Sequence, residues 1–116
     1  MEANMENKNE KMEQIAMEII LAAGDARTAA NKALDAAEGF DFDAADSFLK
    51  QARENIVKAH HAQTETMQAE IASEEKFPMS ILFNHAQDTL MTVMSEINLA
   101  ERLIRMYRIM RDRLPA

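Results

Sequence analysis

Cysteine and tryptophan are absent from this 116-residue chain, and glycine and proline occur only twice each. Without cysteine there is no disulfide, no thiolate metal ligand and no sulfur nucleophile, which fits a cytoplasmic protein. Aromatic residues make up 5% of the sequence and β-branched residues are sparse, so strand formers are few. No apolar run approaches the roughly 20 residues needed to span a bilayer. The N-terminus, Met1 to Lys11, is polar and mixed in charge, unlike a signal peptide. Basic residues are also short: 13 Lys and Arg face 20 Asp and Glu, for a net charge of −7. That balance argues against non-specific binding of nucleic acid or anionic membrane. It suits docking against a basic protein surface as well as plain solubility.

What remains is a helix-forming composition, 47% hydrophobic, with ten methionines and abundant Ala, Glu and Lys. One all-α domain is expected, with residues 1–10 as a flexible tail and 11–113 as the helical domain. A first helix is predicted from Lys11 to Glu38, with Ile15, Ile19, Ala22/Ala23, Ala26, Ala30, Ala33/Leu34 and Ala37 on one face. Gly24 interrupts it and implies close helix packing or a local bend. Gly39 reads as its C-cap, Asp41 or Asp43 as the start of the next helix, and Phe40 and Phe42 as a plug at the bundle end. So short a turn makes the two helices antiparallel.

The second helix, Asp41 to Ala72, carries Ala45, Phe48/Leu49, Ala52, Ile56, Ala59, Gln63 and Met67 on its apolar face, with His60, Gln63 and Thr64 entering in the C-terminal half. A lone histidine on such a stripe, here His60, reads as a hydrogen-bonded core residue, and His61 as solvated. Ser73 to Pro78 forms the second connection, with Pro78 suited to the first turn of a third helix ending at Arg113.

That third helix has two stripes. Met79, Phe83, Ala86, Leu90, Val93/Met94, Ile97, Ile104 and Tyr107 are apolar throughout and should face the other two helices. Ile81, His85, Asp88, Thr92, Ser95, Leu99, Arg102, Met106 and Ile109 follow heptad spacing, apolar at the ends and polar between. Three helices in one chain use the first stripe, which leaves the second for another subunit. Carboxylates of Asp88 brought together on a symmetry axis would repel unless protonated or bridged, and a hard divalent cation would bridge them. Asp88 facing water at the seam edge is the plainer alternative.

The chemistry-bearing residues cluster at the start of this helix. Asn84-His85-Ala86-Gln87-Asp88-Thr89 sets an imidazole, an amide and a carboxylate within four residues, with His85 and Asp88 one turn apart on nearly the same face. A neutral imidazole is a competent nucleophile near pH 7. A helical adaptor or oligomerisation protein with an incidental histidine is the alternative from another class. A di-metal bundle enzyme would need Glu-x-x-His pairs, and none occurs.

The run His85-Ala86-Gln87-Asp88-x-Leu90-Met91-Thr92 closely resembles the active-site helix of the lactose/cellobiose-type enzyme IIA of the bacterial sugar phosphotransferase system. Gly24-Asp25-Ala26-Arg27, Gly39-Phe40-Asp41-Phe42-x-x-Ala45 and Ala59-His60-x-x-Gln63-Thr64 are similar to other landmarks of that family, in the same order, and the likeness covers about residues 12–112. The resemblance implies an antiparallel three-helix bundle that forms a homotrimer through the third helices. It implies a phosphocarrier that accepts a phosphoryl group on Nε2 of His85 from phospho-HPr, the histidine-containing carrier. The acceptor would be a cysteine of enzyme IIB, during uptake of a cellobiose-, chitobiose- or lactose-class disaccharide. Gln87, His60 and Gln63 are candidates for supporting the site. The resemblance also implies one Mg²⁺ or other divalent cation per trimer, held by Asp88 of each subunit, and linkage to the membrane through IIB and IIC only. The family's second histidine is replaced by Thr89, and its Gly-rich loop before helix three by Ser73–Pro78.

Overall fold

The first helix begins well before Lys11. In the computed structural model, which describes residues 2–73 and 80–115 and the side chains of the first helix from Asn7 onward, α1 runs Glu2–Glu38, α2 Phe42–Ala72 and α3 Ile81–Arg113. The expectation of a flexible tail over residues 1–10 is thus corrected for 2–10, which are helical. The reason is local: Glu2 to Ala23 contains neither glycine nor proline and is dominated by Glu, Ala, Met and Lys, so nothing stops the helix. Burial then anchors it, since Met12 is packed among Ala16, Ile19, Ala59, Phe83, Ala86 and Leu90.

The three helices form an antiparallel bundle 71 Å long and about 19 Å across. Its core is layered along the axis. The first layer is the cluster around Met12 and Leu90. A middle layer joins Ala23, Ala26, Ala29 and Ala30 of α1 to Ala52, Val93 and Ile97. A distal layer joins Ala33 and Ala37 to Ala45, Leu49 and Ile104. α1 contributes mostly alanine, whose small side chain lets helices approach closely, while the larger fully buried side chains are Ile19, Leu90 and Val93. Fully burying each of these three contributes roughly 1.5–3 kcal/mol.

The α1–α2 turn departs from expectation in one respect. Gly39 follows the helix, but no glycine takes a positive φ; the left-handed residue is Phe40, with φ 61°. The Asp41 N–H donates to the Ala36 carbonyl at 2.9 Å and the Phe40 N–H to the Ala37 carbonyl at 3.0 Å, which closes the helix end in a Schellman arrangement. Phe42 packs into the distal layer, whereas Phe40 stays exposed with its ring 6.1 Å from that of Phe42. Only one of the two expected plugs is therefore in the bundle. Asp41 is the N-cap, its carboxylate accepting the Ala44 N–H at 3.2 Å.

α3 opens at Ser80, whose hydroxyl accepts the Phe83 N–H at 3.0 Å. Pro78 and Met79, placed at the start of this helix from sequence, lie outside the described residues. Gly24 is exposed, and a Cβ built there would meet nothing within 4 Å, so close packing inside the chain is not its role. Among the described residues, three ion pairs tie α3 to its neighbours: Arg27–Glu96 at 2.8 Å, Arg53–Glu101 at 2.6 Å and Arg108–Asp46 at 2.6 Å. The hydrogen bonds that the Arg27 guanidinium donates to the Glu96 carboxylate raise its pKa above the ordinary value. At half-exposed positions such pairs contribute about 0–1 kcal/mol each.

The two stripes of α3 separate cleanly. Phe83, Ala86, Leu90, Val93, Ile97 and Ile104 are buried, as are none of Ile81, His85, Asp88, Thr92, Ser95, Leu99, Arg102, Met106 and Ile109, all of which are exposed. The accessible surface is 8205 Å², against about 6,400 Å² for a compact monomer of this mass.

Candidate functional site

His85 sits in the second turn of α3, and its position follows from the cap. Ser80 ends the preceding chain and starts the helix, so the N–H groups of the first turn point out of its N-terminus. Because Cα–Cβ bonds tilt toward a helix N-terminus, the His85 ring lies over that first turn. The turn contains no acidic residue, unlike that of α2, which contains Asp43. The partial positive charge of a helix N-terminus favours an anion placed over that first turn.

Ala86 and Leu90 are fully buried beneath the site, and they fix which face of α3 looks outward. His85 and Asp88 are both exposed on that outer face, while Gln87 and Thr89 are half-buried. Among the described residues, no hydrogen bond or ion pair holds the His85 ring. Thr89 does not substitute for a second ring: its hydroxyl donates to the main-chain carbonyl of His85 at 2.8 Å. Thr92 does the same to the Asp88 carbonyl, also at 2.8 Å.

The opposite wall of the site comes from α1. An open groove of about 560 Å³ is lined by Asn9 and Glu13 from α1 and by Ser80, Ile81, Leu82 and His85. Asn9 and Glu13 were not picked out from sequence, because residues 1–10 were read as tail and Glu13 lies off the apolar stripe of the first helix. Their four-residue spacing on an unbroken helical run is the signal that could have found them.

The other candidates are dispersed. His60 is exposed, which corrects the reading of a core histidine. The apolar stripe of α2 rotates past it and buries Ala59 and Gln63 instead. His61 is exposed as expected, 3.0 Å from Glu65. Neither His60 nor Gln63 lines the His85 groove. Among the described residues no group of three or more His, Cys, Asp and Glu side chains in a single chain could hold a metal ion. Asp88 on its own offers one carboxylate.

An all-helical subunit with an exposed imidazole over a helix first turn that holds no acidic residue is suited to carrying an anionic group. The comparisons with known proteins specify which one. The family described as "PTS system, Lactose/Cellobiose specific IIA subunit" matches residues 14–108. The lichenan-specific phosphotransferase enzyme IIA component of Bacillus subtilis is 44% identical over 99 residues, covering 85% of this chain and 89% of that protein. The lactose-specific component of Lacticaseibacillus casei is 38% identical, covering 89% and 91%. Among solved structures, the cellobiose-specific enzyme IIA of Bacillus anthracis superposes with a TM-score of 0.83 at 37% identity, covering 89% of this chain and 94% of that one. The Escherichia coli chitobiose IIA in complex with HPr superposes at 0.76 and 34% identity, covering 86% and 96%. The chain belongs to the lactose/cellobiose-specific IIA family and is a component of the sugar phosphotransferase system.

Proposed function

We propose that His85 is the residue on which this IIA subunit is phosphorylated, taking the group from phospho-HPr and passing it to a cysteine of enzyme IIB. The observation that carries the reading is the placement of His85 over the α3 N-terminus with no acidic residue in the first turn. All three histidines are exposed, so accessibility alone does not choose among them. His61 is engaged with Glu65, and His60 lies in the interior of α2, turns away from the free N–H groups of a helix N-terminus. His85 has the favourable end.

Transfer between two histidines exchanges one P–N bond for another of similar energy. The Nε2 lone pair of His85 attacks phosphorus, the donor imidazole departs with its electron pair, and the proton of the His85 ring stays on Nδ1. The onward step breaks the new P–N bond as a cysteine thiolate forms a P–S bond. Alignment and charge neutralisation do most of the work in such a reaction. This chain supplies a ring on a rigid, buried-backed helix turn and a helix N-terminus worth about 0.3–1 kcal/mol to a nearby anion. The half-buried Gln87 and the dispersed His60 and Gln63 are weaker candidates for donors to the phosphoryl oxygens.

The exposed outer stripe of α3 supports self-association through the third helices, which we read as a homotrimer, and membership of the IIA family supports a cytoplasmic subunit linked to the membrane only through IIB and IIC. In that assembly Asp88 would approach its own copies. One carboxylate per chain cannot complete the six or more oxygens a hard divalent ion takes, but three carboxylates with water can. The Asp88 donor set therefore fits Mg²⁺ or a similar ion in the trimer. Such an ion would neutralise charge at the axis, with no part in the transfer. Relatives specific for lichenan, lactose and N,N′-diacetylchitobiose support a disaccharide of the cellobiose, chitobiose or lactose class as the transported sugar.

The test is intact mass after incubation with phosphoenolpyruvate, enzyme I and HPr. One acid-labile phosphoryl group on the wild type and none on His85→Ala is expected. An unmodified wild type beside active partners would leave an adaptor bundle as the better account.

A further inference from the structure

We propose that Glu13 sets how readily phosphorylated His85 gives up its phosphoryl group. The inference rests on the reading of His85 as the phosphorylated residue. It begins with an acidic side chain in a place where the site otherwise avoids one. Glu13 lines the same open groove as His85, from the facing helix, while the first turn of α3 carries no acidic residue. Glu13 is exposed and makes no ion pair among the described residues. Lys8 and Lys11, on the same α1 turns, line a different groove against α2. Asp88, one turn along α3, is the other anion on this face, and it lies outside the groove lining. Glu13 also lies before the span matched by the family, which starts at residue 14.

A phosphoryl group on Nε2 brings close to two negative charges into this groove. The carboxylate repels them, which raises the free energy of the phosphorylated form and leaves the unphosphorylated form untouched. The group is then held less tightly against return to the donor and released more readily to the acceptor thiolate. No atom of Glu13 enters the bond changes: the P–N bond to His85 forms and breaks as before, and only the balance between its two ends moves. Asn9, one helical turn earlier on the same wall, offers a neutral amide in that position. Replacing it with an acid should therefore act in the same direction as Glu13.

The measurement is the equilibrium constant for phosphoryl exchange between HPr and the full-length protein, read from the intact masses of both partners. Wild type, Glu13→Gln and Asn9→Asp are compared at about 0.01 M and about 1 M salt, where the screening length falls from about 30 Å to about 3 Å. Glu13→Gln should shift the constant toward the phosphorylated IIA by about two- to fivefold at low salt, and Asn9→Asp away from it by a similar factor. Both should converge on the wild type at high salt, and circular dichroism should show all three equally helical. Equal constants for wild type and Glu13→Gln at low salt, with His85 phosphorylated in both, would overturn the proposal. A wild type that takes no phosphoryl group would instead overturn the assignment of His85 on which it rests.

Discussion

The hydroxyl of Thr89 donates to the main-chain carbonyl of His85 at 2.8 Å, one turn back along α3. The residue that stands where the family commonly has a second histidine is thereby turned onto its own helix and away from the imidazole. A threonine bonded in this way competes only weakly with the backbone ladder and is close to neutral for stability. Thr89→Ala should therefore accept phosphoryl groups from HPr within about twofold of the wild-type rate and change stability by less than about 0.5 kcal/mol. Rapid-quench phosphorylation and urea denaturation check the two halves of that statement. A loss of tenfold or more in rate would show that the hydroxyl leaves the carbonyl to act at the site.

The two faces of α3 should respond oppositely to the same truncation. Leu90 is fully buried under the His85 turn, and Leu90→Ala should destabilise the chain by about 2–5 kcal/mol through lost burial and a residual cavity. Leu99 is 61% exposed on the outer stripe, so Leu99→Ala should leave the fold of a single chain within about 0.5 kcal/mol while weakening the assembly. Denaturation at low protein concentration, paired with sedimentation velocity, separates the effects. If Leu99→Ala leaves assembly unchanged, the outer stripe is not the interface.

How much of this was legible beforehand depends on the residue. The buried stripe of α3 followed from spacing alone, because a period of three and four allows only one face for Phe83, Leu90, Val93 and Ile97. The outer stripe followed from the same arithmetic, and every member is exposed. His60 was misread because a stripe predicts a sector and not a rotation: one step of 100° separates buried Ala59 from exposed His60. Asn9 and Glu13 were missed because polar helical surface looks like tail until a facing helix gives it something to line. Gly39 was read as the C-cap, and the left-handed residue that closes the turn is Phe40, one position further on, where glycine is the more usual occupant.

Phe40 offers a check on that last point. Both Phe40→Ala and Phe40→Gly lose the ring and its contact with the Arg111 guanidinium, 5.8 Å away. Only the glycine variant sheds the cost of a Cβ at φ 61°. Phe40→Gly should therefore be more stable than Phe40→Ala by about 1 kcal/mol, as the difference between left-handed L-residues and glycine requires. Thermal melts of the pair measure it. Equal midpoints would mean that the turn relaxes out of the left-handed region once the ring is gone.

Asp88 links assembly to cations. If three carboxylates meet at the axis, chelation of divalent ions from the wild type should weaken the trimer about tenfold or more through unrelieved repulsion. Asp88→Asn removes the charge, so its assembly should be insensitive to the chelator. Mass photometry over a dilution series, with and without chelator, gives the comparison. A wild-type trimer indifferent to chelation would place Asp88 in water at the seam edge.

The central claim is that His85, and neither of the other two exposed histidines, carries the phosphoryl group. Fragmentation of the enzymatically phosphorylated protein under neutral conditions, with ³¹P–¹⁵N correlation to identify the nitrogen, addresses it directly. A single phosphoramidate on Nε2 of His85, with His60 and His61 unmodified, is the expected result. Phosphate on His60 or His61, with His85 bare, would contradict the account.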